Sequence, residues 1–185
     1  MDLEERSIDT EQVYDGVLLD VRRDRVRLPN GQESGREWIK HPGASAVVAV
    51  DDNDRVILIR QFRFGPKRVF WEVPAGKLDH GGEDPLVAAK RELAEEVGLE
   101  ASSWKRIGTT YPAIGYSDEW IALFLARDLE AVEVHTDDDE FVEPFWLALE
   151  EAVRKAQRGE IEDAKSCVAL LVAAAALEDE RLHGG

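Results

Sequence analysis

The segment Gly76 to Leu99 reads GKLDHGGEDPLVAAKRELAEEVGL, a glycine-rich turn running straight into a short helix that carries Arg91, Glu92, Glu95 and Glu96. Pro85 suits the first helical turn and Gly98 the C-terminal cap, so a helix is expected from about Pro85 to Val97. Residues four apart share a helix face, which sets the carboxylates of Glu92 and Glu96 side by side where they can grip one hard cation. Arg91 and Glu95 form a second such pair, able to hold one acid in place while the others bind metal. The opposite stripe, Val87, Leu93 and Val97 with Ala89 and Ala94, is apolar and is expected to anchor the helix on a sheet. Acids on a helix are ordinarily a solvated face. The whole pattern favours chemistry.

The stretch resembles the Nudix box, the signature of the Nudix hydrolases, G-x5-E-x7-R-E-U-x-E-E-x-G-U with U a bulky aliphatic residue. Arg91, Glu92, Leu93, Glu95, Glu96, Gly98 and Leu99 fall in register, and Glu83 stands at the required distance before Arg91. Gly76 departs by one residue, so His80 to Gly82 reads as an insertion in the loop; starting at Lys77 restores the count but loses the glycine. An extra turn residue costs little, because loop-closure entropy grows slowly with length.

The chain of 185 residues is long enough for a substantial core. A net charge of −16 excludes a duplex nucleic acid or anionic membrane as partner, since both need a basic footprint. A small phosphorylated substrate stays open, because bound divalent cations invert the local charge. The apolar run Cys167 to Leu177 is too short to span a bilayer. The acidic first residues lack the regions of a secretory signal. Cys167 is the one cysteine, so there is no intrachain disulfide and a cytoplasmic setting is expected; it reads as a buried, inert thiol.

Residues 1–12 read as loose, followed by strands at Val13 to Asp20 and Arg22 to Leu28, with turns at Leu28 to Gly31 and around Ser34-Gly35. Ala44 to Val50 and Val56 to Arg60 read as a buried hairpin joined by an acidic turn. Further strands are expected at Val69 to Val73, Trp104 to Thr110, Trp120 to Ala126 and Phe141 to Trp146. Helices are expected near Leu149 to Gln157 and from Ala164 to Glu180, the last capped by Asp163. This order implies an α/β fold (α+β in composition), an α/β/α sandwich around a mixed sheet. The resemblance implies the Nudix fold, with residues 1–40 as an N-terminal β extension used for dimerisation and 41–185 as the hydrolase domain.

Further patches resemble the ADP-ribose pyrophosphatase branch, whose members hydrolyse nucleoside diphosphate sugars. They are Arg36-Glu37-Trp38 with His41-Pro42-Gly43-Ala44, Arg60-Gln61-Phe62-Arg63, Trp71 to Gly76, Tyr111 to Glu119, Asp139 to Glu143, and Gly159 to Lys165. Pro112 fits the proline that marks this branch a little over a dozen residues after the box. The resemblance implies Trp38 for stacking on adenine, Arg63 for phosphate or ribose, and Glu72 for substrate hydroxyls. Indoles stack well on flat bases, and a guanidinium offers a planar fork of donors to phosphate. His41 reads as structural.

Hydrolysis of a P–O–P bridge loads charge onto oxygens that are already anionic, and divalent cations offset it. The oxygen-only acids suit Mg²⁺, with Mn²⁺ as substitute. By resemblance the metal ligands are Glu92, Glu96, Glu95 and the Ala75 carbonyl. Arg91 orients the acids, and Glu83 shapes the loop or holds a bound water. The general base falls in the acidic stretch His135 to Glu140, with Glu140 first and Asp138 second; Glu119 is a further candidate contact. The activity implied is Mg²⁺-dependent cleavage of ADP-ribose to AMP and ribose 5-phosphate by a homodimer. The same chemistry on GDP-mannose is the alternative, and an inactive ADP-ribose sensor is the remote one.

Overall fold

The computed structural model describes residues 3–79, 82–133 and 141–183. The chain divides into two compact units, Met1–Pro42 with Tyr111–Trp120, and Gly43–Thr110 with Ile121–Gly185.

In the first unit β1 (Arg6–Asp15), β2 (Asp20–Arg27) and β3 (Glu33–Lys40) form an antiparallel sheet in that order. The amino-terminal stretch expected to be loose is therefore a strand, although all of β1 is exposed. Cross-strand polar pairs hold it: Arg25 meets Asp9 at 2.7 Å, and Ser7 Oγ donates to Asp24 at 3.0 Å. The chain reverses at Gly16–Leu19, where the Gly16 N–H donates to the Leu19 carbonyl at 2.9 Å. That turn cuts the expected Val13 to Asp20 strand in two. Ser34 and Gly35, read as a turn, lie inside β3 opposite Val26 and Arg25. There continuous pairing with β2 outweighs the glycine's entropic cost of roughly 0.5–1 kcal/mol.

The second unit is built around β4 (Ala44–Ala49), buried along its whole length. It pairs antiparallel with β7 (Ala75–Lys77) and parallel with β9 (Ile121–Ala131), which pairs antiparallel with β8 (Leu99–Thr110). A second, antiparallel sheet takes β5 (Arg55–Arg63) between β6 (Arg68–Glu72) and β10 (Val142–Ala148). The expected β4–β5 hairpin is thus reduced to a single bridge between Val50 and Val56. Both edges of β4 are already taken, so β5 has to leave for the other sheet.

Alternation along β4 gives it two covered faces. Ala46 and Val48 join a core with Leu58, Leu123 and Leu125, closed by Ala169, Leu170 and Ala173 of α3 (Ala164–His183) and Ala152 of α2 (Leu149–Gln157). Ser45, of opposite parity, donates its hydroxyl to the Pro85 carbonyl of α1 (Pro85–Val97) at 2.7 Å. Helices on both faces of a mixed sheet make the α/β/α sandwich that the sequence implied. Among the described residues no helix is long and apolar enough to cross a membrane.

Candidate active site

Helix α1 starts and stops where its sequence says. Asp84 caps it by accepting the Leu86 N–H at 2.8 Å, Pro85 opens it, and Gly98 closes it at φ 65°. Its buried face, however, differs from the expected stripe. Val87 is 55 % exposed, whereas Glu92 and Glu96 are buried beside Ala88, Ala89 and Leu93. The acids point into the fold because partners wait there.

Glu96 accepts the backbone N–H of Ala75 at 2.9 Å, which ties the helix to β7. Glu92 lies against the next residue, so closely that a Cβ on Gly76 would stand 1.9 Å from its Oε1. Gly76, and not Lys77, is therefore the position that must lack a side chain, and the irregularity of the box falls after it. Arg91 draws three acids together, meeting Glu92 at 2.7 Å, Glu95 at 3.1 Å and Glu83 at 3.2 Å. Burial pulls the Arg91 guanidinium down, but Glu83, Glu92 and Glu95 outweigh it and push its pKa well above the ordinary arginine value. Glu83 also accepts the Asp79 N–H at 2.9 Å, fixing the loop entry. His80 and Gly81 lie outside the described residues.

A second cluster forms around Glu72, which is 2 % exposed. Arg63 donates to it bidentately, Nε to Oε1 and the second nitrogen to Oε2, each at 2.7 Å. Lys165 donates to the same Oε2 and, at 2.9 Å, to Asp163. Asp163 in turn accepts the N–H and hydroxyl of Ser166, whose Oγ accepts the Val73 N–H at 2.8 Å. Burial pushes the Glu72 carboxyl up; hydrogen bonds and charge from Arg63 and Lys165 overcome that and hold it below the usual range. Glu96 and Asp163 both help raise the Arg63 guanidinium, so the box acids and this cluster share one field.

The structure thus brings together Ala75, Arg91, Glu92, Glu95 and Glu96, and sets Arg63 with Glu72. Trp38 sits on β3 of the first unit, its indole N–H donating to Asp24 at 3.1 Å. In that unit His41 stands 3.9 Å from Glu119, and its N–H donates to Asp118 at 2.7 Å. Glu140 and Asp138 lie outside the described residues.

Among the described residues no three His, Cys, Asp or Glu side chains converge as a metal cage. The donors nevertheless fit a hard cation. Mg²⁺ typically takes one or two carboxylates and fills its shell with water and substrate phosphate. Glu92 and Glu96, buried over the Ala75–Gly76 backbone, offer oxygen ligands of that kind.

The model of the NUDIX domain matches residues 39–169, and that of the nucleoside diphosphate sugar hydrolase N-terminal domain matches 5–39. The chain belongs to the NUDIX domain family. It is 42 % identical to the ADP-ribose pyrophosphatase of Bacillus subtilis (strain 168), covering 91 % of each chain. It is 41 % identical to the ADP-ribose pyrophosphatase of Mycobacterium tuberculosis (strain ATCC 25618 / H37Rv), over 84 % of this chain and 76 % of the other. Its fold is that of the crystal structure of an ADP compounds hydrolase, with a TM-score of 0.84 over 97 % of this chain and 98 % of that one, at 24 % identity.

Two features of this Nudix site escape a reading of the box. Gly76 is needed for close approach rather than for a turn, which no spacing rule announces. Lys165 lies in the first turn of α3, where the helix dipole disfavours a cation. That local conflict was the available signal.

Proposed function

We propose that this Nudix enzyme hydrolyses the pyrophosphate bond of ADP-ribose, giving AMP and ribose 5-phosphate, with Mg²⁺ as cofactor. The observation that carries the reading is the pair of buried carboxylates, Glu92 and Glu96, held against Ala75–Gly76. A bound divalent cation supplies the positive charge that the diphosphate oxygens need as the bridge breaks. Glu92, Glu96, Glu95 and the Ala75 carbonyl would hold it, and Arg91 keeps the acids in register. Arg63, 43 % exposed, offers its donors to a phosphate or ribose oxygen once its fork leaves Glu72, and the carboxylate so uncovered serves the sugar hydroxyls through its freed lone pairs. Trp38 stacks on the purine. Glu140, with Asp138 second, takes the proton of the attacking water; the P–O bond to the leaving phosphate then breaks.

The reading includes a homodimer joined through residues 1–40, tested by mass measurement in solution, and a cytoplasmic setting that suits a lone cysteine. Initial rates over a panel containing ADP-ribose and GDP-mannose, with Mg²⁺ or Mn²⁺, test the substrate. ADP-ribose should give the highest kcat/KM, and Glu96→Gln should lose at least about a hundredfold. If ADP-ribose stays intact, or Glu96→Gln turns over like wild type, the assignment fails.

A further inference from the structure

Glu72 is a fully buried carboxylate with two cations on it, Arg63 and Lys165. One cation would satisfy Glu72 taken alone; the second, Lys165, is shared with Asp163. The two differ in access, since the Arg63 side chain is 43 % exposed and that of Lys165 13 %. Lys165 is also held from behind by Asp163 at 2.9 Å, which Ser166 fixes at the start of α3. A cation in the first turn of a helix works against the dipole, so its place there is set by Glu72 rather than by the helix.

Stripping the only counter-ion from a buried carboxylate is strongly unfavourable. If Arg63 is to donate to substrate, something else must keep Glu72 compensated. We propose that Lys165 is a positioning residue for the reaction. It stays on Glu72 when Arg63 turns its fork to the diphosphate sugar, and so frees Arg63 for binding. The same anchor reaches Val73 through Ser166, one proline before the Ala75–Gly76 backbone that meets Glu96 and Glu92.

This inference rests on the reading of Arg63 as a substrate contact. Its test is steady-state kinetics on ADP-ribose with Mg²⁺ for wild type, Lys165→Met, Lys165→Arg, Glu72→Gln and the double variant Glu72→Gln/Lys165→Met. Without Lys165 the buried carboxylate keeps Arg63 captive, so Lys165→Met should raise KM about tenfold or more with a smaller change in kcat. Lys165→Arg should stay within about threefold, because it preserves the charge. In the Glu72→Gln background there is no carboxylate to compensate, and adding Lys165→Met should change KM by less than about twofold. Equal effects of Lys165→Met in both backgrounds, or a fall in kcat with KM unchanged, overturn the proposal. Should Lys165→Met fail to fold, Lys165→Gln, which removes the charge but keeps a polar side chain, is read against the same thresholds in both backgrounds. A wild type inert toward ADP-ribose refutes the function itself, whereas an active wild type without the KM pattern refutes only the role of Lys165.

Discussion

Replacing Gly76 with alanine should disable the site through Glu92. The new Cβ would lie 1.9 Å from Oε1, 2.1 Å from Cδ and 2.6 Å from Oε2 of that carboxylate. Ordinary contact needs 3.4 Å or more, so the group must move by about 1.5 Å, or the strand must yield by a similar amount. Glu92 has little room to swing, being buried and held by Arg91 at 2.7 Å. Misplacement by about 1 Å in a catalytic constellation can cost around a hundredfold in rate, and on the proposed role of Glu92 in holding the cation a larger displacement should cost at least that. Overpacking should remove about 1–3 kcal/mol of stability, which lowers the melting temperature by roughly 2–12 °C in a chain of this size. The assay is ADP-ribose hydrolysis across a Mg²⁺ titration, beside thermal melting. Gly108→Ala is the control, because its Cβ would meet only Leu123 at 4.0 Å. A Gly76→Ala enzyme with kcat/KM within about threefold of wild type and an unchanged Mg²⁺ dependence refutes the placement of Glu92.

Asp84→Ala removes the cap on the first turn of α1 and should cost about 1 kcal/mol, read as a fall of roughly 2–4 °C in melting temperature. No change there means that the capping bond carries no stability. Glu72 predicts an acid dependence. Its pKa is lowered in the fold, so its stabilising contribution is complete above the ordinary glutamate range and is lost as pH falls through the folded value. Chemical denaturation from about pH 7 to about pH 3 should show the gap between wild type and Glu72→Gln narrowing toward acid; a gap independent of pH refutes the charged assignment.

Helix α1 was legible because everything that defines it is local: a cap, a proline, a periodic pattern and a terminal glycine. The strands of the second unit were legible as elements for the same reason, except β7, whose three residues around Gly76 carry no strand pattern of their own. Their pairing was not, because the fate of β4 depends on which strands claim its edges: its first residue, Ala44, stands opposite Lys77 of β7 and Ile121 of β9, both far along the chain. The burial of Glu92 and Glu96 was the deeper surprise. A sequence shows their charge, and charge alone argues for solvent; the Ala75 N–H, the bare backbone of Gly76 and Arg91 beside Glu92 help explain why they turn inward. Arg63 and Glu72 were each singled out, but the bidentate pair between them was not, because it reaches diagonally across β5 and β6, where Arg63 stands opposite Arg68 and Glu72 opposite Ile59.

How a chain of net charge −16 handles an anionic diphosphate also follows from this arrangement. Around Glu72 the charges balance, since Arg63 and Lys165 face Glu72 and Asp163. Around α1 acids predominate among the described residues: Arg91 meets Glu83, Glu92 and Glu95, with Glu96 buried close by. The helix side is therefore built to attract cations and repel a bare diphosphate, while the Arg63 side is balanced, its fork engaged on Glu72 and the rest of its side chain partly exposed. Such a site discriminates against its own substrate until the helix side is neutralised, because like charge at close range is costly in a partly buried setting. On the proposed function, dependence on a divalent cation follows from these residues, and the acids around α1 favour its recruitment.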